Sequence, residues 1–446
     1  MSGDPNSTVL GVVLLVRHGD RQIIYQDSDT YTASTKLLTP LGNAQEVQLG
    51  GLLRQLYFNE SSPSHIQNMN TGLFNDSQVL MVADAGDLGG VVYDSAISLT
   101  QGLWPNTTAW NTTLANGTTV VGPLGGYQYI PIQSVETSND ISLQGFFDCN
   151  TFNDAVSAFY TTPEFQQKAN ETQAFLNELL PYLDGHPATL EDMFDVFDYM
   201  NVNNIHNANF SKTLPPTFLA QARDLANWHE YNTYTSAQLD GIGNIAGRTV
   251  VPSLITGFTR IVNASDPLSF MVEELSYKPY LSLFNMTGVA AANSSLAGIV
   301  NYASVVALEV RQPSSGGEPV LRFNFKNGSD IFRTYSVLGS TGDVPLSTFI
   351  NTLAPSAVNT TTEWCGVCGN SQDRGCGELA QASAEAKPHQ RISPVGAGFL
   401  GAGLTLAVAL MAFGVLAFLG VLSLGRPQRR RASKRTEKGS SDGGSA

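Results

Sequence analysis

The stretch VVLLVRHGDR (12–21), followed by TPLGNAQEVQLGGLLRQLY (39–57), decides how the rest of this 446-residue chain is read. Leu10–Val16 is an apolar, β-branched run, as expected of a strand buried on both faces of a parallel sheet. After a loop, Thr39 and Pro40 announce a helix, Thr as N-cap and Pro at the first helical position. Leu41, Val47, Leu49, Leu52, Leu53 and Leu56 then recur at helical spacing. Strand, loop and helix in that order open a doubly wound α/β fold, which binds ligands beyond the carboxyl ends of its strands. Arg17-His18-Gly19-Asp20-Arg21 sits at such an end. Two arginines flanking a histidine make a bed of guanidinium donors for an anion, and a neutral imidazole there can attack phosphorus. Gly19 lets backbone come close to the oxygens, and Asp20 reads as a structural partner of the arginines.

Working outward, QVLMVA (78–83) predicts a second strand and Ser95–Leu103 a helix. From about 105 to 245 the chain turns Asn/Thr-rich and then helical, clearest in TPEFQQKANETQAFLNELLPYL (162–183) and LEDMFDVFDYMNV (190–202). Strand character returns at LSFMVEEL (268–275), VVALEV (305–310) and PVLRFNFK (319–326). Gly339–Arg391 reads as irregular, ending in a stalk, and no internal repeat is present.

These residues resemble the histidine acid phosphatases of the phosphoglycerate-mutase-like superfamily. The likeness rests on VVLLVRHGDR and on Thr39, Pro40, Gly42, Gln45, Leu49, Gly50, Arg54 and Tyr57. It continues more loosely through DSAISLTQGLWP (94–105), YASVVALEV (302–310), LRFNFKNG and PLSTFI, so that it spans most of residues 9–355. The resemblance implies a doubly wound, mainly parallel α/β domain (9–104 and 246–360) with a helical cap inserted at 105–245. It implies hydrolysis of a small phosphomonoester through a phosphohistidine on His18, with Arg17 and Arg21 holding the phosphoryl group and no metal or organic cofactor. Three departures accompany it. Ile23 stands where a Pro often follows the motif, Val91 takes the place of a third phosphate-binding Arg, and no His-Asp dipeptide occurs. Spacing puts Ser276-Tyr277 where the family's His binds phosphate and its Asp protonates the leaving group. Glu273 or Glu274 is then the candidate acid, since a carboxyl in a semi-buried cleft holds its proton more tightly. His229-Glu230 lies in the cap and receives no role. The alternative reading is a pseudophosphatase that keeps the fold and an anion site but serves as a binding or surface glycoprotein. A mutase is disfavoured by the compartment.

Compartment is read from the chain's composition and far end. Only 14% of residues are charged, against about 25% in typical domains. The net charge of −14 argues against nucleic acid as a partner. Between Arg391 and Arg426 no charged residue occurs, and 394–425 is long and apolar enough for a transmembrane helix. The basic tail 426–446, with Arg426, Arg429, Arg430, Arg431, Lys434, Arg435 and Lys438, marks the cytoplasmic side of a lipid bilayer. Residues 1–425 hold 17 basic and 36 acidic residues, a net −19. They carry thirteen N-x-S/T sequons, as expected of a glycosylated lumenal or extracellular domain. Cys149, Cys365, Cys368 and Cys376 are candidates for two disulfides, with three pairings open. Zinc is disfavoured because no His lies beside the last three cysteines until His389, and 361–393 is expected as a Cys-containing stalk before the span. A type I protein needs a signal peptide and MSGDPNST has no such character, so a leader upstream of this start is expected.

Overall fold

Strand β1 (Thr8–Arg17) runs through the middle of the sheet, and its alternation sets the two layers. The computed structural model describes residues 4–25, 27–85, 90–138 and 140–385, together with helical residues at 408, 410–412 and 414–416. Val12, Leu14 and Val16 point to one face and pack against α1 (Pro40–Tyr57) and α2 (Val91–Leu103) through Leu49, Leu53, Leu99 and Leu103. Val13 and Leu15 point to the other face, toward a second cluster that contains Leu254, Phe258, Tyr280 and Phe284. Each buried Val or Leu contributes about 1.5–3 kcal/mol relative to exposure, so a one-residue slip of β1 would invert both layers.

The other strands of this sheet are β2 (Val79–Asp84), β3 (Gln133–Val135), β4 (Phe270–Leu275), β5 (Val305–Gln312), β6 (Val320–Lys326), β7 (Arg333–Tyr335) and the short β8 (Val344–Pro345), and two separate hairpins pair Arg21–Tyr25 with Ala33–Leu38 and Asn111–Thr113 with Thr119–Val121. Their order is β7-β6-β5-β1-β4-β2-β3, with β8 beside β6. The pairs β1–β4, β4–β2 and β2–β3 are parallel; β1–β5, β5–β6, β6–β7 and β6–β8 are antiparallel. The sheet is therefore mixed rather than mainly parallel. Its second half is antiparallel because β5 and β6 are joined by a seven-residue turn, Pro313–Pro319, too short for a parallel crossover. Helix α1 begins as its sequence requires: Thr39 accepts from the Gly42 amide and Pro40 is the first helical residue.

Between 105 and 245 lie the helices α3 (Asn150–Tyr160), α4 (Pro163–Leu179), α5 (Met193–His206) and α6 (Phe218–Thr233). Their apolar faces, including Met193, Val196, Met200 and Leu225, belong to the same core as Val13 and Leu15. Helices α7 (Val251–Val262) and α8 (Lys278–Met286) complete that layer.

The expected irregular segment and stalk need correction. Helices α9 (Leu346–Leu353), α10 (Thr361–Val367) and α11 (Cys376–Glu385) occupy it. Trp364, Cys368 and Cys376 are buried, because Trp364 donates to the Gly145 carbonyl and Cys368 is bonded to Cys149. Cys365 pairs with Cys376. The Cys149–Cys368 bond closes 219 residues of chain, which restricts the unfolded state by roughly 5 kcal/mol in a loop-entropy account. The chain divides into a unit of 1–380 and a second of 381–446. Among the described residues no helix is long and apolar enough to cross a membrane. The expected span 394–425 lies, but for the few helical residues named above, outside the described residues, as does the tail 426–446.

One buried pair departs from ordinary core chemistry. Glu46 of α1 and Glu274 of β4 are fully buried on the same face, and none of their four carboxyl oxygens has a hydrogen-bond partner. Burial raises both well above the usual carboxyl range, each disfavouring ionisation of the other, with Lys326 opposing at Glu46. The folded state therefore binds more protons than the unfolded one, whose carboxyls titrate near 4.5. Stability is fully present below that value and declines as pH rises, with a slope on the order of 1.4 kcal/mol per pH unit per group. Replacing Glu274 by Gln should flatten the fall in melting temperature between pH 5 and 8, measured by calorimetry; an unchanged slope would remove the pair from this role.

Candidate active site

Strand alternation that sends Leu15 toward the cap layer sends Arg17 the same way. The loop after it is pinned on three sides. The His18 amide donates to the Leu275 carbonyl at the end of β4 (3.3 Å), Ala303 donates to the His18 carbonyl (3.2 Å), and the Gly19 amide donates to Ser95 Oγ (3.1 Å). Gly19 is required by packing more than by ligand approach: a Cβ there would stand 2.5 Å from the Gly42 carbonyl oxygen of α1.

His18 is 1% exposed, and its Nδ1 lies 2.8 Å from the Gly19 carbonyl. A carbonyl only accepts, so Nδ1 carries the proton and Nε2 keeps the lone pair. Burial, then Arg17 and Arg21, holds the imidazole neutral to well below its usual 6.5. His18 lines a cleft of about 580 Å³ together with Arg21, Lys36, Asp195, Glu230, Ser276, Tyr277 and Lys278, walled by Tyr25, Tyr31, Phe152, Tyr160 and Phe194.

The two arginines take different places. Arg21 gives both terminal nitrogens to Asp198 of α5, at 3.0 and 3.2 Å, and both residues are buried. Arg17 lies between the rings of Tyr302 and Tyr277, 4.6 and 5.2 Å from their centroids, and donates to the Val300 carbonyl. Burial lowers it to about 10, so it stays a cation. Asp20 is not the arginines' partner: it accepts from Thr39 Oγ1 and from His206 Nε2 of α5 (2.7 Å), while its own amide donates to Gln45.

What makes this a site is the set of buried donors without partners. Arg17 Nε, Arg21 Nε, Ser276 Oγ and the Tyr302 hydroxyl are buried and bonded to nothing among the described residues. Arg21 and Ser276 line the cleft with His18, while Arg17 and Tyr302 line an adjoining pocket with Asp198, the Tyr302 ring 5.6 Å from that of His18. An unsatisfied buried polar group costs roughly 1–3 kcal/mol, and donors of this kind suit an anion. Ser276, at the strand end where a His-Asp pair was sought, thus faces the cleft, as does Tyr277. Val91 is 1% exposed at the first turn of α2 and offers an anion nothing.

The structure does not bring the candidate acids to the cleft. Glu273 shares its face with Leu15 but opens onto a separate pocket with Ser253 and Thr256; burial raises it to about 7. Glu274 points to the opposite face, against Glu46. Asp195 and Asp198 were missed, although Asp192, Asp195 and Asp198 recur three apart on a helix, and a buried Asp demands a cation. His229-Glu230, given no role, lines the cleft: His229 Nδ1 donates to Glu230 (2.8 Å), whose other oxygen accepts from Tyr277.

No family model matches the chain. Among curated proteins, it is 23% identical over 375 residues to a lysosomal acid phosphatase of Pongo abelii, covering 81% of each chain. It is 21% identical over 379 residues to a prostatic acid phosphatase of Bos taurus, covering 82% of this chain and 89% of that one. Among solved structures, a phytase of Klebsiella sp ASR1 superposes with a TM-score of 0.55 at 13% identity, covering 80% of this chain and 97% of the phytase. A Hafnia alvei phytase in complex with tartrate gives 0.54 at 12%, covering 81% and 98%.

Orthophosphate should bind here. Ser276→Ala and Tyr302→Phe should each weaken its binding about tenfold or more, since hydrogen bonds to charged groups contribute about 1.5–3 kcal/mol. Isothermal calorimetry near pH 5 reads this, and undiminished affinity in both variants would place the anion elsewhere.

Proposed function

We propose that the chain is a histidine acid phosphatase that hydrolyses small phosphomonoesters through a phosphohistidine on His18, a reading its likeness to acid phosphatases supports. The observation that carries this is a neutral imidazole, proton fixed on Nδ1, in one cleft with the unpartnered buried donors of Arg21 and Ser276, those of Arg17 and Tyr302 lying in the adjoining pocket. Nε2 attacks phosphorus while Arg21, Arg17, Ser276 and Tyr302 hold the equatorial oxygens. Pre-aimed donors of this kind contribute about 10²–10³-fold each where charge develops. Water then releases orthophosphate. Of the cations lining the cleft, Arg21 is already paired with Asp198, and Lys36 and Lys278 face Glu191 and Glu230, a balance that supports a monophosphate over a polyanion.

The apolar run 394–425 with its basic tail supports a single-pass anchor, with residues 1–393 lumenal or extracellular. Glycosylation of that part is supported by nine exposed sequon asparagines, among them Asn59, Asn111 and Asn170. Asn285 is an exception, its amide nitrogen being bonded to Ser236 and Asn244.

One observation favours the pseudophosphatase reading: Asp198 occupies both terminal nitrogens of Arg21. Turnover decides between the two. The full-length chain should hydrolyse p-nitrophenyl phosphate, retain activity as pH falls below 6.5, and form an acid-labile, base-stable phosphoprotein in rapid quench. His18→Ala should abolish both signals. A folded wild-type protein with no turnover above that variant would leave the pocket an anion-binding relic.

A further inference from the structure

An alkyl ester needs a proton for its departing oxygen, and the end of β4 offers Ser276 and Tyr277 in place of a carboxyl acid. Resting on the phosphohistidine reading above, we propose that Asp195, on cap helix α5, gives its proton to the leaving-group oxygen and recovers one from the water that follows.

Three carboxyls line the cleft: Glu191, Asp195 and Glu230. Glu230 is committed, one oxygen to His229 Nδ1 and the other to the Tyr277 hydroxyl. His229 is held in turn by Tyr160 at 2.9 Å. Glu191 is exposed at the rim. Asp195 is half-buried, faces the same cavity as His18, and accepts no hydrogen bond from any described residue. It stands one turn before Asp198, which grips Arg21, so their Cβ atoms are about 5–6 Å apart. The acid is thereby placed beside the phosphoryl site and on its open, cap side, where a leaving group has room.

Its surroundings keep the proton on. Asp192 and Asp198 flank it on α5 and Glu230 faces it from α6, with Lys278 of α8 opposing; Tyr25, Tyr31 and Tyr160 complete the wall. Burial first, then those three carboxylates, raises Asp195 to about 7. In the acidic range Asp195 is thus protonated while His18 is neutral, so acid and nucleophile coexist in their reactive forms.

In the first half-reaction the Nε2 lone pair forms the N–P bond as the ester P–O bond breaks. The bonding pair stays on the ester oxygen, which takes the Asp195 proton and leaves as the alcohol. In the second, the Asp195 carboxylate takes a proton from water as the water oxygen attacks phosphorus. The N–P bond breaks with its pair returning to Nε2, and orthophosphate departs, restoring both residues.

The test compares an aryl ester, whose phenolate leaves with little help, and an alkyl ester, which needs the acid. The full-length wild type, Asp195→Asn, Asp195→Glu and His18→Ala are assayed on p-nitrophenyl phosphate and glycerol 2-phosphate from pH 3 to 9. Asp195→Asn should lose about 10²–10⁴-fold in kcat/KM on the alkyl ester and much less on the aryl ester, whose kcat also falls because hydrolysis of the phosphohistidine is common to both, with folding read by circular dichroism. The alkaline fall near pH 7 on the alkyl ester should vanish with it, and Asp195→Glu should restore part of the rate. Equal losses on both esters, or none on either, would overturn the assignment while leaving His18 in place. No wild-type turnover of the aryl ester above His18→Ala would remove the phosphohistidine reading and this one together.

Discussion

The Arg21–Asp198 ion pair is the constraint on which the rest of the site depends. Both groups are buried, and removal of either would leave an unpaired charge at a cost of about 3–5 kcal/mol. Arg21 opens the short strand Arg21–Tyr25 that follows the loop after β1, and Asp198 lies on α5, so the pair ties that strand to the helix. Eight residues further along α5, His206 takes hold of Asp20. One helix therefore grips two consecutive residues, Asp20 and Arg21, just beyond the central strand, and contributes to the wall of the cleft.

That pairing also sets the electrostatics of the cleft. With Asp198 neutralising Arg21, Arg17 keeps its charge without a carboxylate partner among the described residues, so a bound anion would meet one uncompensated guanidinium beside neutral hydroxyls. A phosphomonoester below about pH 6 carries a single negative charge, which suits such a cradle better than the dianion does. Tyr302, raised by its burial, keeps its hydroxyl proton and stays a donor.

What the sequence revealed follows from how local each signal is. β1, the Thr39-Pro40 start of α1 and the strands around 270, 306 and 322 are written in contiguous residues, each needing only its own periodicity or cap. Ser276-Tyr277 was found by spacing along the chain for the same reason. The antiparallel half of the sheet was not legible, because an apolar run does not state its direction. Residues 361–393 read as a stalk because Trp364 and Cys368 are isolated apolar positions whose burial depends on Gly145 and Cys149, more than two hundred residues away. Glu273 and Glu274 were chosen by nearness in sequence to the strand end, yet alternation turns one to each face and neither to the cleft. Asp198 becomes meaningful only once Arg21 is seen against it.

The Cys149–Cys368 bond has a mechanical consequence. A pull on the chain beyond Cys376 enters the folded unit at α10, through the Cys365–Cys376 link, and passes across the second disulfide to Cys149 at the head of α3. The load path thus runs into the cap and bypasses the hydrogen-bonded strands of the sheet. Tension at the end of the folded unit is delivered to the helices that wall the cleft, while β1 and the histidine at its tip lie off the line of force.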